Sequence, residues 1–334
     1  MSFVQKQIKH LRNFFGDQKS FTAQIETVAK RYHIPVFMVR FSILWSRLCH
    51  GFNTSEYMNF EVFKMNHREK KTFNSSARSI KIVKKTNPGT NGKRELLDNK
   101  FVFNKEFGKF IQREWIYAPE SSEEVIRSFL ERHEAVIIKP VGKSRGDGIQ
   151  RVICDETKEN MSAFVDKVKK CEMLIEECVQ QHHDMSAVNE SSVNTIRVNT
   201  IRDKEGTVRF IAANLRGGAQ GSILDNLHAG GAQYPIDVET GIIIRGGVRY
   251  DGAKNILFHP GSNKKMIGME IPNWDKLKEM ITEAGTMTGD IRYVGWDVAI
   301  TEEGCELIEG NSNQGCNGMQ LDGIGKFDFI KAYI

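Results

Sequence analysis

The chain has no CxxC pair and no histidine-rich ligand spacing: its six cysteines, at 49, 154, 171, 178, 305 and 316, are scattered through 334 residues. That pattern offers neither a disulfide framework nor a zinc site, and it favours reduced thiols in a cytosol, so a cytoplasmic protein is expected. The N-terminus lacks the apolar core and small-residue cleavage site of a signal peptide. The longest apolar run, residues 34–45, is interrupted by Arg40 and is too short for a membrane span. There is no internal repeat and no low-complexity tract. GxxxxGK[ST] is absent, which excludes a Walker loop, and no glycine-rich loop leads from a strand into a helix as a Rossmann fingerprint requires.

Acidic residues are scarce at one end. Residues 1–100 hold 19 Lys/Arg against 7 Asp/Glu, whereas the remainder holds 28 against 35. The change of sign marks a separate basic N-terminal region. Its cations are dispersed and carry no nucleic-acid motif, so nucleic acid is not the expected partner. A solvated helical segment is one reading, and weak attachment to an anionic membrane surface through the amphipathic stretch from Val36 to Leu48 is another. At 40% apolar and 27% charged, the chain is an ordinary globular protein large enough for two or three lobes.

What is present begins with helical spacing up to about residue 75, as in Ile25, Val28, Ala29 and Tyr32, which predicts two or three helices. Thr86 to Gly92, dense in turn formers, reads as a linker. Leu96 to Trp115 reads as helical, and Ser121-Ser122-Glu123-Glu124 opens a helix running to about Arg132. Strands are expected at Ala135 to Lys139, Ile149 to Ile153, Met173 to Glu176, Thr195 to Ile201, Val208 to Ala213 and Ile242 to Ile244. Helices are expected from about Glu159 to Lys170 and from Trp274 to Thr286. The fold class is α+β with antiparallel hairpins.

GWDVAITEEGCELIEGNSN reads as strand, turn and strand, with Glu302-Glu303-Gly304 as a three-residue loop whose glycine is left-handed. That loop pairs residues whose numbers sum to 606, so Asp297 faces Glu309 at a Cβ separation of ~5 Å. Two carboxylates so close repel unless a cation lies between them. Asn311 shares the face of Glu309 and adds a neutral oxygen. The three are hard ligands suited to Mg²⁺. Trp296, Val298, Ile300 and Ile308 form the opposite, core-facing side. Acidic residues on a solvated hairpin are the alternative, against which Ala299 and Leu307 on the same face argue.

In AVIIKPVGKSRGDGIQRV a buried strand ends in Lys139-Pro140, and a loop with Gly142, Ser144, Gly146 and Gly148 leads into the next strand. Glycines let backbone N–H groups approach phosphate oxygens, and the lysine supplies a point charge. A plain glycine-rich hairpin would explain the glycines but not the Lys-Pro entry. Further on, alternation puts Thr195 and Arg197 on one strand face, and Arg216 ends a strand before Gly217-Gly218. Either guanidinium could grip a carboxylate or phosphate, with a surface ion pair as the alternative. Asp225 to Gly231 is a polar loop in which His228 is a candidate phosphate-orienting group or base, or else a structural histidine.

These segments, in this order and spacing, resemble the ATP-grasp superfamily. The resemblance rests on Lys139-Pro140 with GKSRGDGI, then MLIEECV from Met173, then Asp297 with Glu309-Gly310-Asn311. VNTIRVNTI, LDNLHAGG and HPGSNKKMIGMEIPNW narrow it to the sugar-transfer-associated branch related to α-L-glutamate ligases, over residues 95 to 330. The resemblance implies two α+β lobes clasping ATP behind a helical N-terminal extension, with regions at 1–90, 91–175 and 176–334. It implies Lys139 and Lys100 on the phosphates, the glycine loop as a lid, Glu176 to Val179 at the adenine edge, and Glu177 or Asp184 on the ribose. Family members of the D-alanine-ligase type carry an arginine two residues ahead of the metal aspartate. Gly295 stands there here, so Arg197 and Arg216 become the candidates for the transferred phosphate. The activity implied is an ATP- and Mg²⁺-dependent carboxylate–amine ligase acting on small-molecule or glycan-linked substrates through an acyl phosphate. A kinase and a non-catalytic nucleotide-binding protein are the alternatives.

Overall fold

The computed structural model describes residues 21–89, 94–143, 146–222, 230–249 and 253–334. The chain divides into two compact units, one formed by residues up to 82 with 315–332, the other by 83–314 with 333–334.

In the first unit the described residues form helices Thr22–Arg31, Val36–His50, Thr54–Asn59 and His67–Thr72 in the stretch read as two or three. The additional short helices are started by reciprocal caps. Asn53 Oδ1 accepts from the Glu56 backbone N–H at 2.8 Å, while the Asn53 N–H donates to Glu56 Oε2 at 2.9 Å. Asn66 and Glu69 repeat the arrangement at 3.0 and 2.7 Å. Each satisfies N–H groups that a helix start leaves orphaned, so very short helices persist. The core is Ile25, Val39, Ile43, Phe52, Tyr57 and neighbours. The returning C-terminal segment is held by a two-way amide pair: the Asn74 N–H donates to Gln320 Oε1 at 2.6 Å and Gln320 Nε2 donates to the Asn74 carbonyl at 3.0 Å.

The second unit holds two antiparallel sheets. The smaller, ordered β1-β4-β2-β3, comprises β1 (Trp115–Tyr117), β2 (Ala135–Pro140), β3 (Gln150–Ile153) and β4 (Met173–Glu177). Helices Glu123–Glu131 and Met161–Lys170 bury Ile126, Phe129, Leu130, Val165 and Val168 in the same core as Val136, Ile138 and Ile175. The larger sheet comprises β5 (Ile196–Arg202), β6 (Val208–Gly217), β7 (Ala232–Ile236), β8 (Gly247–Arg249), β9 (Lys254–Ile256), β10 (Tyr293–Ile300) and β11 (Cys305–Asn311). Its order is β11-β10-β5-β6-β7-β8-β9. Helix Trp274–Thr286 packs Leu277, Ile281 and Ala284 on the core shared with Val198, Trp296 and Val298.

Several expectations need correction. The stretch from Leu96 to Trp115 is not one helix but Glu95–Asp98, Lys100–Glu106 and a 3₁₀ turn before β1. Ile242 to Ile244 makes only isolated bridges. Thr86 and Asn87, read as the start of a linker, are fully buried. Asn87 Nδ2 donates to the carbonyls of Tyr293 and Ser312 at 2.7 and 2.6 Å, and its Oδ1 accepts from the Tyr293 N–H at 2.9 Å. One asparagine amide thus replaces a missing backbone partner at the start of β10, a use that turn-former composition does not reveal. Residues 90–93 of that stretch lie outside the described residues.

Candidate active site

Asp297 pairs with Glu309 across β10 and β11, but by a different route from the one the turn suggests. Gly304 is not left-handed, and the turn closes through Thr301 N–H to the Gly304 carbonyl at 3.0 Å. Next to the turn Ile300 faces Cys305 and Val298 faces Leu307; the register then shifts between Asp297 and Val298. Ile308 is the extra residue. A bulge of this kind flips alternation on one strand, so Leu307, not Ile308, joins Val298 in the core. Beyond it, Glu309 and Asn311 oppose Asp297 and Gly295.

Cross-strand neighbours continue the line. Asp297 faces Arg197 on β5, which in turn faces Asn214 on β6. Arg197 Nη2 donates to Asp297 Oδ2 at 2.8 Å, its Nε bonds the other carboxylate oxygen, and Arg216 Nη1 reaches Asp297 Oδ2 at 3.1 Å. Burial opposes ionisation of Asp297, but the two guanidiniums override it and hold the carboxyl well below its ordinary range. For Glu309 the fields of Arg197 and Lys100 are outweighed. Burial and the Asp297 charge both push its carboxyl upward. The two phosphate-stabilising candidates therefore meet at the first metal candidate, which no strand-by-strand reading could show.

Gly295 explains the family departure in space. A Cβ there would lie 2.8 Å from Gln314 Oε1 and 3.3 Å from Arg197 Nη1. Arg197 of β5 therefore needs a glycine at position 295 to lie where it does. Gly295→Ala is expected to fold while losing about 10- to 100-fold in turnover, since displacing a charge-bearing group by under 1 Å costs that much. Steady-state kinetics beside a melting curve checks it, and unchanged turnover would refute the packing role.

At the phosphate end Lys139, on β2, bonds Glu176 Oε2 of β4 at 2.5 Å. Glu176 is buried and also accepts from Arg113 Nε at 2.9 Å and Asn104 Nδ2 at 3.0 Å. Burial would raise its carboxyl, but Arg113 and Lys139 hold it far below its ordinary range. Arg113 was missed by sequence reasoning. It sits 5% exposed between the sheets and continues to Glu306 Oε2 at 3.0 Å and the Leu307 carbonyl at 2.9 Å. Lys100 opens helix Lys100–Glu106, where a cation opposes the helix dipole by ~0.3–1 kcal/mol. Burial depresses its ammonium, as does Lys139, while Glu309 and Glu176 pull the other way. Its Nζ bonds the Lys143 carbonyl in the glycine loop. Gly310 makes this approach possible, because a Cβ there would lie 2.8 Å from Leu97 Cδ2 on the preceding helix and 3.0 Å from Phe103 Cε2 on the helix that Lys100 opens. In the loop, Gly146 and Gly148 have φ of +78°, which side chains resist, whereas Gly142 does not. Ser144 lies outside the described residues, as does His228.

Glu177 ends β4 half-buried, its Oε2 accepting from the Glu114 N–H at 3.0 Å, with Val179 half-buried just beyond. Asp184 is half exposed, 3.8 Å from Lys264 Nζ. Another donor group, His182, His183 and Glu302, converges to within 4.8 Å. Its imidazoles suit softer ions, whereas an all-oxygen set is the chemistry that suits magnesium. Mg²⁺ and a polyphosphate fit that set. Two carboxylates and an amide converge beside two arginines, and Arg216 Nε, Asn199 Oδ1 and Gln314 Nε2 are buried without a hydrogen-bond partner. Orphaned polar atoms of this kind mark a place for a ligand.

The sugar-transfer associated ATP-grasp family matches residues 64–331. No curated protein matches the chain. Among solved structures, an L-amino acid ligase from Bacillus licheniformis is similar at 11% identity and a TM-score of 0.43, over 73% of this chain and 49% of that one. A RiPP-associated ATP-grasp ligase from Chryseobacterium gregarium, in complex with ADP and a leader and core peptide, gives 15%, 0.44, 73% and 60%. The β-γ-ATP complex of biotin carboxylase from Campylobacter jejuni gives 12%, 0.47, 72% and 47%. The chain spans about half the length of such structures.

Proposed function

Because the chain belongs to the sugar-transfer associated ATP-grasp family, we propose that it is an ATP-dependent carboxylate–amine ligase. The observation that carries this reading is the meeting of Asp297, Glu309, Arg197 and Arg216 on one sheet face, with Lys100 in electrostatic reach of both Glu309 and Lys139.

In this reading Lys139 and Lys100 neutralise the α- and β-phosphates, and Gly142, Gly146 and Gly148 let the loop's backbone approach them. Lys139 would exchange part of its bond with Glu176 for phosphate, while Arg113 keeps Glu176 in place. Glu176 to Val179 border the adenine, with Glu177 or Asp184 on the ribose. Asp297, Glu309 and Asn311 would hold Mg²⁺, which would offset the charge developing on the transferred phosphate. Arg197 and Arg216 orient the γ-phosphate for in-line attack and stabilise its equatorial oxygens. A substrate carboxylate oxygen attacks the γ-phosphorus and ADP leaves. An amine nitrogen then attacks the acyl carbon, inorganic phosphate leaves, and the nitrogen gives up a proton. The acid and amine belong to small-molecule or glycan-linked pools, in the cytoplasm where ATP is available. We place the lobes at 91–175 and 176–334.

The test is incubation with ATP, magnesium and candidate acids in the presence of hydroxylamine. A hydroxamate is expected, in step with ADP release. A stable phosphoester with no hydroxamate would instead show a kinase on the same scaffold.

A further inference from the structure

One face of the helical unit is unlike the rest of the described surface. Helix Val36–His50 buries Val39, Ile43, Ser46 and His50. At ~100° per residue, the stripe Phe37, Phe41, Trp45 and Leu48 points about 180° away from that buried side. These four are 71%, 64%, 59% and 72% exposed. The rings of Phe41 and Trp45 stack with centroids 6.4 Å apart. Tyr32, Ile34, Val36 and Met38 are exposed just ahead of them. Residues 32–48 thus carry eight of the eighteen exposed large hydrophobic side chains among the described residues. The four stripe residues alone present on the order of 500 Å² of apolar surface, the size at which a patch marks a binding face.

The charge around the stripe has one sign. Residues 27–55 contain no Asp or Glu, but include Lys30, Arg31, Arg40 and Arg47. Arg40 and Arg47 lie on one flank of the stripe at helical spacing. At the end of the helix, His50 is depressed by burial and then by the fields of His67, Arg78, Lys70 and Lys71, so that end is ringed by cations. A second copy laid face to face would bring only cations together. A bilayer bearing anionic headgroups offers apolar depth and opposite charge at once.

We propose that this face is an interfacial anchor that lies in the surface of an anionic lipid bilayer, with Phe37, Phe41, Trp45 and Leu48 below the headgroups and Arg40 and Arg47 among them. Fifteen residues make a helix of ~22 Å, short of the ~30 Å needed to cross, so it lies in the plane. No helix among the described residues is long and apolar enough to span a membrane. Aromatic side chains on one face and cations beside them are what such in-plane helices use. The inference rests on the helical unit alone and stands whether or not the ligase reading does.

Flotation of the full chain with phosphatidylcholine vesicles, and with equimolar phosphatidylcholine–phosphatidylglycerol vesicles, tests it. Binding to the anionic vesicles is expected, weakening as salt is raised, with little on the neutral ones. The emission of Trp45 should shift to the blue on binding, and Trp45→Phe should remove the shift while keeping the affinity. The combined variant Phe37→Asp, Phe41→Asp and Trp45→Asp should lose at least about tenfold in binding at an unchanged melting temperature, because these side chains are already in water. Absence of flotation at low salt, or equal flotation of the triple variant, would overturn the proposal. So would a wild-type dimer that the triple variant dissolves, since the face would then belong to a second copy.

Discussion

Glu309→Gln is expected to leave the melting temperature of the ligand-free protein unchanged or higher while lowering ADP release by about 10²- to 10⁴-fold. The two effects separate because Asp297 and Glu309 oppose each other across the hairpin, yet both arginine ion pairs go to Asp297. Without a cation, Glu309 contributes repulsion, and neutralising it relieves that repulsion by ~0.5–1 kcal/mol. With Mg²⁺ and nucleotide the same charge becomes a ligand. Asp297→Asn would be a poorer experiment, because it strips two half-buried guanidiniums of their counter-charge and confounds folding with chemistry. Calorimetry in the absence and presence of Mg²⁺, together with an ADP assay, reads both effects. Full turnover in the Gln variant would remove Glu309 from the site, and a large loss of stability would show that the carboxylate serves the fold instead.

The second large effect is on stability. Arg113→Met should destabilise the protein by about 3–5 kcal/mol, because it leaves Glu176 and Glu306 as buried carboxylates with one lysine between them. In melting temperature this is roughly 5–15 °C. Adding Glu176→Gln and Glu306→Leu to the same chain should recover most of the loss, since apolar or neutral groups do not need the guanidinium. The network also sets a pH dependence. Glu176 is held below its ordinary 4.5, so its stabilisation is present above that value and is lost as pH falls toward the folded-state value. Wild type should therefore lose stability in acid more steeply than the triple variant, measured by thermal melts across acidic pH. A single Arg113→Met variant as stable as wild type would show that this network does not join the two sheets.

The segments legible in the sequence were those whose pattern is local. Helix Trp274–Thr286 follows from its apolar spacing, and β2 from a short apolar run ending in Lys-Pro. The hairpin strands were legible, but the turn type assigned to Gly304 was not the one adopted. Asp297 met Glu309 only because the turn and the bulge at Ile308 shift the register in compensating ways. Asn87 shows the opposite failure. Its neighbours are turn formers, so composition assigned it to a linker, whereas its amide completes the start of β10. The capping pairs Asn53–Glu56 and Asn66–Glu69 carried a readable signal for the additional short helices.

The sequence by itself determined which chemical groups exist and on which strand each lies, because alternation and apolar runs are short-range and survive without tertiary context. Only the tertiary structure decided which charges meet. Arg197 reaches Asp297 from 100 positions away, and Arg113 reaches Glu306 from 193. The physical reason is that an ion pair depends on distance in space and on exclusion of water. Both are set by which strands become neighbours and how the two sheets pack, and neither is written in the spacing of residues along the chain.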